Sequence, residues 1–305
     1  MAKPSTDALS AADQQFLQRI QLMIRDGHGQ RALGMVQQFL KQRPRSPDGF
    51  QTLAMCRSTL GDTDGAQQAF TKALKLAPGH PLILTNQGHM LLRSHRAEGA
   101  LRSFQQASRR APRMAPAWLG LAQSGRITGD LALAASAVSH YLRLEPESAV
   151  GWNEQGLIFQ AQERYQQARD SLARAVELAP DRGRYHFSLG ICHRLMGRPD
   201  QSLKCFQRAR EFGIDQPDLD NAEIGALLDC GDVGGALERA DRLVKGSPDY
   251  IPGLETLVNL VWEYGGPDHP DPDELFERST ARSATPRAVE VAFARFLLKA
   301  KRGAE

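Results

Sequence analysis

An all-α fold of stacked helix–turn–helix units is what this 305-residue sequence predicts, and three periodic features predict it. Prolines stand at Pro44, Pro78, Pro112, Pro146, Pro180 and Pro248, with Ile214 on the missing rung, so each mark lies 34 residues from the next. Small residues keep the same interval: Ala32, Ala66, Ala100, Ala134, Ala168, Ser202 and Ala236 each precede their proline, or Ile214, by twelve residues. Between these marks the residues recur at helical spacing. In the unit 47–80, Phe50, Leu53, Ala54 and Arg57 mark a first helix, Ala66, Ala69, Phe70, Ala73 and Leu74 mark a second, and Gly61 separates them.

Each mark has a physical reason. Ala66 must be small because two helices cross there and a larger side chain would push their backbones apart. Phe70 fills the gap one turn later. Pro78 ends the second helix, since proline lacks an amide hydrogen and biases its predecessor away from helix.

Residues 1–12 read as a flexible amino terminus, because Lys3, Pro4, Ser5 and Asp7 leave no apolar run for a secretory signal. Seven units then occupy 13–250 in register. Residues 251–265 begin another first helix through Leu254, Leu257, Val258, Val261 and Trp262, until the glycine- and proline-rich run from Gly265 through Pro267, His269, Pro270 and Asp271 to Pro272 interrupts it. A shorter helix is predicted over 273–281, with Leu275 in the slot held by Phe70 and Phe206 if the loop carries one extra residue. A last first helix is predicted over 286–300, with Val289, Ala292, Phe293, Phe296 and Leu297 on one face. Residues 251–305 therefore read as a degenerate eighth unit followed by a capping or truncated helix. Arg295, Lys299, Lys301 and Arg302 offer the polar outer face that a terminal repeat needs, while an end face including Phe293 and Phe296 offers self-association.

Composition agrees with one long, thin, elongated domain: 41% of residues are hydrophobic and only 7% aromatic. A formal net charge of +3 is too small to argue by itself for nucleic acid or a membrane surface. The most apolar stretch, 131–138, falls far short of the roughly 18 residues that cross a bilayer. Cys56, Cys192, Cys205 and Cys230 show no paired spacing, which suits a reducing compartment and a cytoplasmic location.

The fifth unit carries Trp152, Gly156, Phe159, Ala168, Leu172, Ala175 and Pro180, and the fourth carries Trp118, Leu121, Ala134, Tyr141 and Pro146. Over 13–248 these residues resemble the tetratricopeptide repeat family. That resemblance implies a right-handed superhelical α-solenoid whose first helices line a concave groove, exposing the second, fifth, ninth, twelfth and thirteenth positions of each unit. Here those positions hold Leu82, Thr85, His89, Leu92 and Arg93, then Leu119, Gln123, Arg126 and Ile127, then Val150, Asn153, Leu157, Gln160 and Ala161. The sixth unit adds Arg184, Phe187, Ile191 and Arg194. The expected function is a non-catalytic protein–protein interaction scaffold, its ligand a peptide or helix of a partner with apolar anchors and acidic groups. Arg25, Arg93, Arg126 and Arg194 form a stripe in this reading, although each also complements a helix dipole.

Other chemistries find less support. A basic run of Arg93, His95, Arg96, Arg102, Arg109, Arg110 and Arg113 has only Phe104 as an aromatic, at a core position, so it reads as a solvated face rather than a nucleic-acid site. The carboxylate clamp of chaperone-binding family members needs Lys and Asn where this chain has Gln51 and Met55, and only Asn86 fits. The asparagine ladder of a sugar-transferase arm is absent, since Asn86, Asn153, Asn221 and Asn259 fall at unequal positions. His186, Cys192, His193 and Cys205 fall at packing positions rather than in a metal-ligand spacing. His269 and Asp271 form an H-x-D pair without a later histidine. Phosphate-binding glycine loops and nucleophile elbows are missing, so no cofactor is expected. Residues 251–299 also weakly resemble the repeat arm that precedes some bacterial 2-oxoglutarate-dependent oxygenase domains. On that resemblance the alternative is a substrate-recruiting arm of a larger enzyme, such an oxygenase or a transferase, with its catalytic domain elsewhere.

Overall fold

The computed structural model describes residues 9–265 and 271–302, with side chains as far as Lys299, and all regular structure among them is helix. Contacts divide the chain into two compact units, Met1–Gln162 and Glu163–Glu305. The first unit holds four hairpins: α1 (Ala11–Arg25) with α2 (Gly29–Gln42), α3 (Pro47–Thr59) with α4 (Thr63–Leu76), α5 (Pro81–Arg93) with α6 (Ala97–Arg110), and α7 (Ala115–Thr128) with α8 (Leu131–Leu144). It ends with α9 (Ala149–Ala161). The second unit begins with α10 (Tyr165–Leu178) and continues with the hairpins of α11 (Gly183–Leu195) with α12 (Pro199–Glu211) and α13 (Pro217–Asp229) with α14 (Val233–Gly246). It closes with α15 (Ile251–Tyr264), α16 (Pro272–Arg282) and α17 (Pro286–Arg302). The helices expected over 273–281 and 286–300 are thus present, each extended by a residue or two. Residues 1–8 of the expected flexible terminus, and 266–270 of the interrupting run, lie outside the described residues.

The prolines act on their predecessors, as steric clash with the pyrrolidine ring requires. Ala77 and Ala111, just before Pro78 and Pro112, leave the helix at ψ 79°. Where Ile214 replaces proline, a different device ends the helix. Gly213 takes φ +83°, and Ile214 N donates to Ala209 O across 3.0 Å, the hydrogen bond of a Schellman stop.

The turn from first to second helix also keeps the 34-residue interval. Gly27, Gly61, His95, Gly129, Glu163, Gly197 and Gly231 all have positive φ. Glycine adopts this region freely, whereas a side chain with a Cβ is strained there by about 1–2 kcal/mol. His95 and Glu163 carry that strain at φ 57° and 60°.

Packing follows the small residues. Ala32, Ala66, Ala100, Ala134, Ala168, Ser202 and Ala236 are all at 0% exposure, so every one lies at a closed helix contact. One turn later Phe70, Phe104 and Phe206 are buried as well. Phe104 lies between two first helices: a methyl placed on Gly88 would stand 2.7 Å from its ring, and one on Gly120 closer still. His89 meets the same ring edge-on at 4.9 Å. A polar link recurs at three of the handovers from a second helix to the next first helix. Trp118 and Trp152 donate their indole N–H groups to Pro112 O and Pro146 O, both at 2.8 Å. His186 Nε2 reaches Pro180 O at the same distance.

The eighth unit departs from one expectation. Leu275 does not take the slot of Phe70 and Phe206. Phe276 does, two residues out of register, with its ring 4.6 Å from Phe293 and 6.0 Å from Phe296. The longer interruption before α16 produces this offset. Phe293 and Phe296 are half-buried rather than open at an end face, and the large apolar residues exposed on α17, among the described residues, are Val291, Leu297 and Leu298.

Two substitutions test this packing by urea unfolding. Gly120→Ala drives a methyl into the Phe104 ring and is expected to lower stability by about 1–3 kcal/mol. His95→Gly relieves the positive-φ strain but frees the unfolded chain, so a gain of about 0.5–1 kcal/mol is expected.

Candidate functional site

Because α1 contacts α3 and α3 contacts α5, residues spaced by one repeat on these first helices meet on one face of the first unit. They enclose a cavity of about 370 Å³. α1 contributes Gln21, Ile24 and Arg25, α3 contributes Met55, Ser58 and Thr59, and α5 contributes Asn86, His89, Met90 and Arg93, with Phe70 of α4 behind them. Gln21, Met55 and His89 share the ninth position of their units, and Arg25, Thr59 and Arg93 the thirteenth. The floor is apolar and adaptable, since methionine side chains flex and pack against varied shapes. The rim is cationic. Arg93 is exposed and no carboxylate pairs with it among the described residues, while Arg25 lies 3.6 Å from the equally exposed Asp26. Burial holds the His89 imidazole below its ordinary pKa, so at neutral pH it is a neutral hydrogen-bonding group at the wall. Asn86 Nδ2 lies 3.9 Å from Met55 Sδ, a weak contact that a stronger acceptor would displace.

Other expected contact residues have different surroundings. Thr85 is buried at 2% exposure and its hydroxyl donates to Pro81 O at 2.8 Å. Asn153 is buried at 5%. Both stand at the fifth position, which on α5 and α9 faces the packed interior, and this removes them from the open surface. Gln51 shares that position, and its Oε1, like Asn153 Oδ1, is buried without a hydrogen-bond partner among the described residues. Leu119, Gln123, Leu157 and Gln160 are half-buried on α7 and α9.

Arg126 is not an open cation. Its Nε donates to Glu154 Oε1 at 2.7 Å, and the Glu154 side chain is only 5% exposed. A buried carboxylate needs a paired cation, so Arg126 is a strut between α7 and α9. In the second unit Arg194 likewise donates to Asp229 at 2.8 Å. Arg184 is exposed, Phe187 lies 5.8 Å from Phe206, and Ile191 packs beside the same core. The arginine stripe therefore resolves into Arg93 without a carboxylate, Arg25 beside the exposed Asp26, and Arg126 and Arg194 bound to carboxylates of neighbouring first helices. Gln21 and Met90 were not singled out from the sequence. Their repeat positions carry the signal for Gln21, whereas Met90 faces the cavity through tertiary packing alone.

Among the described residues, no three His, Cys, Asp or Glu side chains converge to hold a metal ion. His186 is engaged with Pro180 O and stacks on Phe212 at 5.3 Å. Burial pushes the thiols of Cys192 and Cys205 up to about 11, which keeps them protonated at neutral pH. Asp271 caps α16, accepting from Glu274 N at 3.0 Å, while its sequence partner His269 lies outside the described residues. No described helix is long and apolar enough to cross a membrane.

Sequence profiles described as tetratricopeptide repeat match residues 47–80, 85–149 and 147–213. A comparison with curated proteins finds no match. Among solved structures, the chain is similar to a chain of the APC/C hetero-tetramer Cut9-Hcn1, with TM-score 0.69 and 14% identity over 81% of this chain and 48% of that one. The chain thus spans about half the length of that relative. It is also similar to a tetratricopeptide repeat protein from Parabacteroides merdae, with TM-score 0.66 and 12% identity over 82% of this chain and 98% of that one. A third likeness is to a thermophilic TPR protein of Thermus thermophilus, with TM-score 0.50 and 25% identity over 60% of this chain and 100% of that one. At such identities the Cut9-Hcn1 and Parabacteroides likenesses speak for the fold alone.

Removing one partner of the α7–α9 strut separates its role from that of the cavity rim. Arg126→Ala leaves the Glu154 carboxylate buried without its cation and is expected to lower stability by about 2–3 kcal/mol. Arg93→Ala, at an exposed site, is expected to change stability by less than about 0.5 kcal/mol. Urea unfolding of the two variants side by side makes the measurement.

Proposed function

The chain belongs to the tetratricopeptide repeat family, and on that basis we propose that it is a non-catalytic interaction scaffold that takes a peptide or helix of a partner protein on the first-helix face of its first unit. Proteins of this repeat family bind protein partners and are typically without catalytic activity. The observation that carries the reading is the cavity among α1, α3 and α5, where Met55, Met90 and Phe70 lie behind the cations Arg25 and Arg93. An apolar side chain of the ligand fits the interior, and an adjacent carboxylate fits an arginine fork. His89, neutral at its wall, and Asn86 supply hydrogen bonds that favour one ligand orientation over another. Leu119, Gln123, Leu157 and Gln160 extend the same reading along α7 and α9, and Arg184, Phe187 and Ile191 extend it to the second unit as separate contacts. We place the protein in the cytoplasm, on the strength of four cysteines that form no disulfide.

Selection from a displayed library of random twelve-residue peptides tests the proposal, with direct binding then measured for the wild type and for Arg25→Glu/Arg93→Glu. The expected outcome is enrichment of an apolar residue beside Asp or Glu, and binding at least about tenfold weaker in the double variant. Arg126 and Arg194 stay unaltered, so helicity is preserved and can be checked by circular dichroism. Equal binding by both proteins would remove the cavity from the proposal.

A further inference from the structure

The two units differ in charge in a way that the first-helix cavity does not explain. The chain has 38 Lys and Arg and 35 Asp and Glu; of these, 18 and 11 fall in residues 1–162, leaving 20 and 24 in residues 163–305. The surplus of the first unit includes a set of cations in strict register. Lys41, Lys75, Arg109 and Arg143 are 34 residues apart, in the last turns of α2, α4, α6 and α8, and all four are exposed.

A cation in the last turn complements the helix dipole, but that explanation is incomplete. It does not require neutral residues one turn earlier, yet Gln37, Thr71, Gln105 and Ser139 stand at those places. None of the four cations is paired with a carboxylate among the described residues; Arg143 instead donates to His140 Nδ1 at 2.8 Å. The equivalent positions of the second unit follow another rule. They hold Glu177, Glu211 and Lys245, and Lys245 is paired with Asp241 at 2.6 Å. Helix ends do not need cations in this protein, and where one is present at this position of the second unit a carboxylate neutralises it.

We infer that the second-helix edge of the first unit is a docking surface for an extended acidic segment of a partner protein, gripped in register by Lys41, Lys75, Arg109 and Arg143. The inference rests on the scaffold reading above but uses a different surface. Each second helix is separated from the next by a first helix that packs against both, so successive cations stand within about two interhelical distances of roughly 8–10 Å each, and an extended chain advancing about 3.3 Å per residue spans that step in about five residues. Arginine and lysine can serve phosphates too, but the aromatic rings at this edge are already engaged. Trp118 stacks on His140 at 4.0 Å, and the indole N–H groups of Trp118 and Trp152 are tied to proline carbonyls, leaving no free platform for bases among them.

Fluorescence anisotropy with the full chain tests this. The probe is a fluorescein-labelled twenty-residue peptide with Glu at every fifth position and Ser and Gly between. Comparators are the same composition with its Glu residues in one block, a twelve-nucleotide single-stranded DNA and a twelve-base-pair duplex. The spaced peptide is expected to bind saturably at about 50 mM NaCl, to weaken steeply by about 200 mM, and to bind at least about fivefold tighter than the block peptide. Lys75→Glu/Arg109→Glu is expected to weaken it at least about tenfold and Lys75→Gln/Arg109→Gln less, with helicity verified by circular dichroism. Arg25→Glu/Arg93→Glu is expected to leave it within about twofold, which separates this surface from the cavity. Absence of saturable binding, equal binding by the charge-reversed protein, equal binding of the block peptide, or tighter binding of either DNA would each overturn the inference.

Discussion

Close approach of helices at one fully buried small residue per repeat governs this structure. With no side chain beyond a methyl or hydroxymethyl at Ala32 through Ala236, each second helix can settle against its neighbours, and the apolar residue one turn later, Phe70, Phe104 and Phe206 in three units, can fill the remaining space. Phe104 shows the constraint from the other side. Its ring comes so close to Gly88 and Gly120 that neither position has room for a Cβ. Equivalent contacts at equal sequence intervals then bring Gln21, Met55 and His89 around one cavity although they are 34 residues apart in sequence.

Helix termination is the second constraint, and it has more than one chemical solution. Proline ends most second helices through its clash with the preceding residue, and Gly213 ends α12 through a left-handed residue and a Schellman hydrogen bond. The turns between first and second helices rely on positive φ so firmly that His95 and Glu163 accept the strain where glycine is missing. The eighth unit shows the cost of losing the interval. α16 starts late, Phe276 moves into the aromatic slot, and Leu275 turns instead toward a cavity of about 530 Å³ shared with α14 and α15.

Arginine has two roles in this chain, and only its neighbours distinguish them. Arg126 and Arg194 join adjacent first helices by pairing with Glu154 and Asp229. Arg210 and Arg239 together enclose the buried Glu223 and the half-buried Asp220 beside α13. Arg25 and Arg93 have no such buried carboxylate and face the cavity rim. Cations left open at a rim bear on how a partner approaches as much as on how tightly it is held.

Much of the fold was legible in the primary structure because a repeat multiplies each weak local signal. The 34-residue interval of prolines and small residues identified the helices, their order, the packed face and the family, since each mark answers a local need: a small residue at a crossing, a helix stop, a turn. The fate of individual polar side chains was not legible. Thr85 and Asn153 occupy positions that the family resemblance implied were on the open face, and their burial depends on how α5 and α9 rotate against their neighbours. Whether an arginine is a strut or a free cation depends on a carboxylate 28 residues away for Arg126 and 35 away for Arg194. Periodic sterics that act within a few residues are enough to specify the all-α repeat fold from the primary structure. Which cations remain open, and which side chains surround a cavity, is settled in three dimensions, because burial and charge pairing are properties of residues brought together from different repeats.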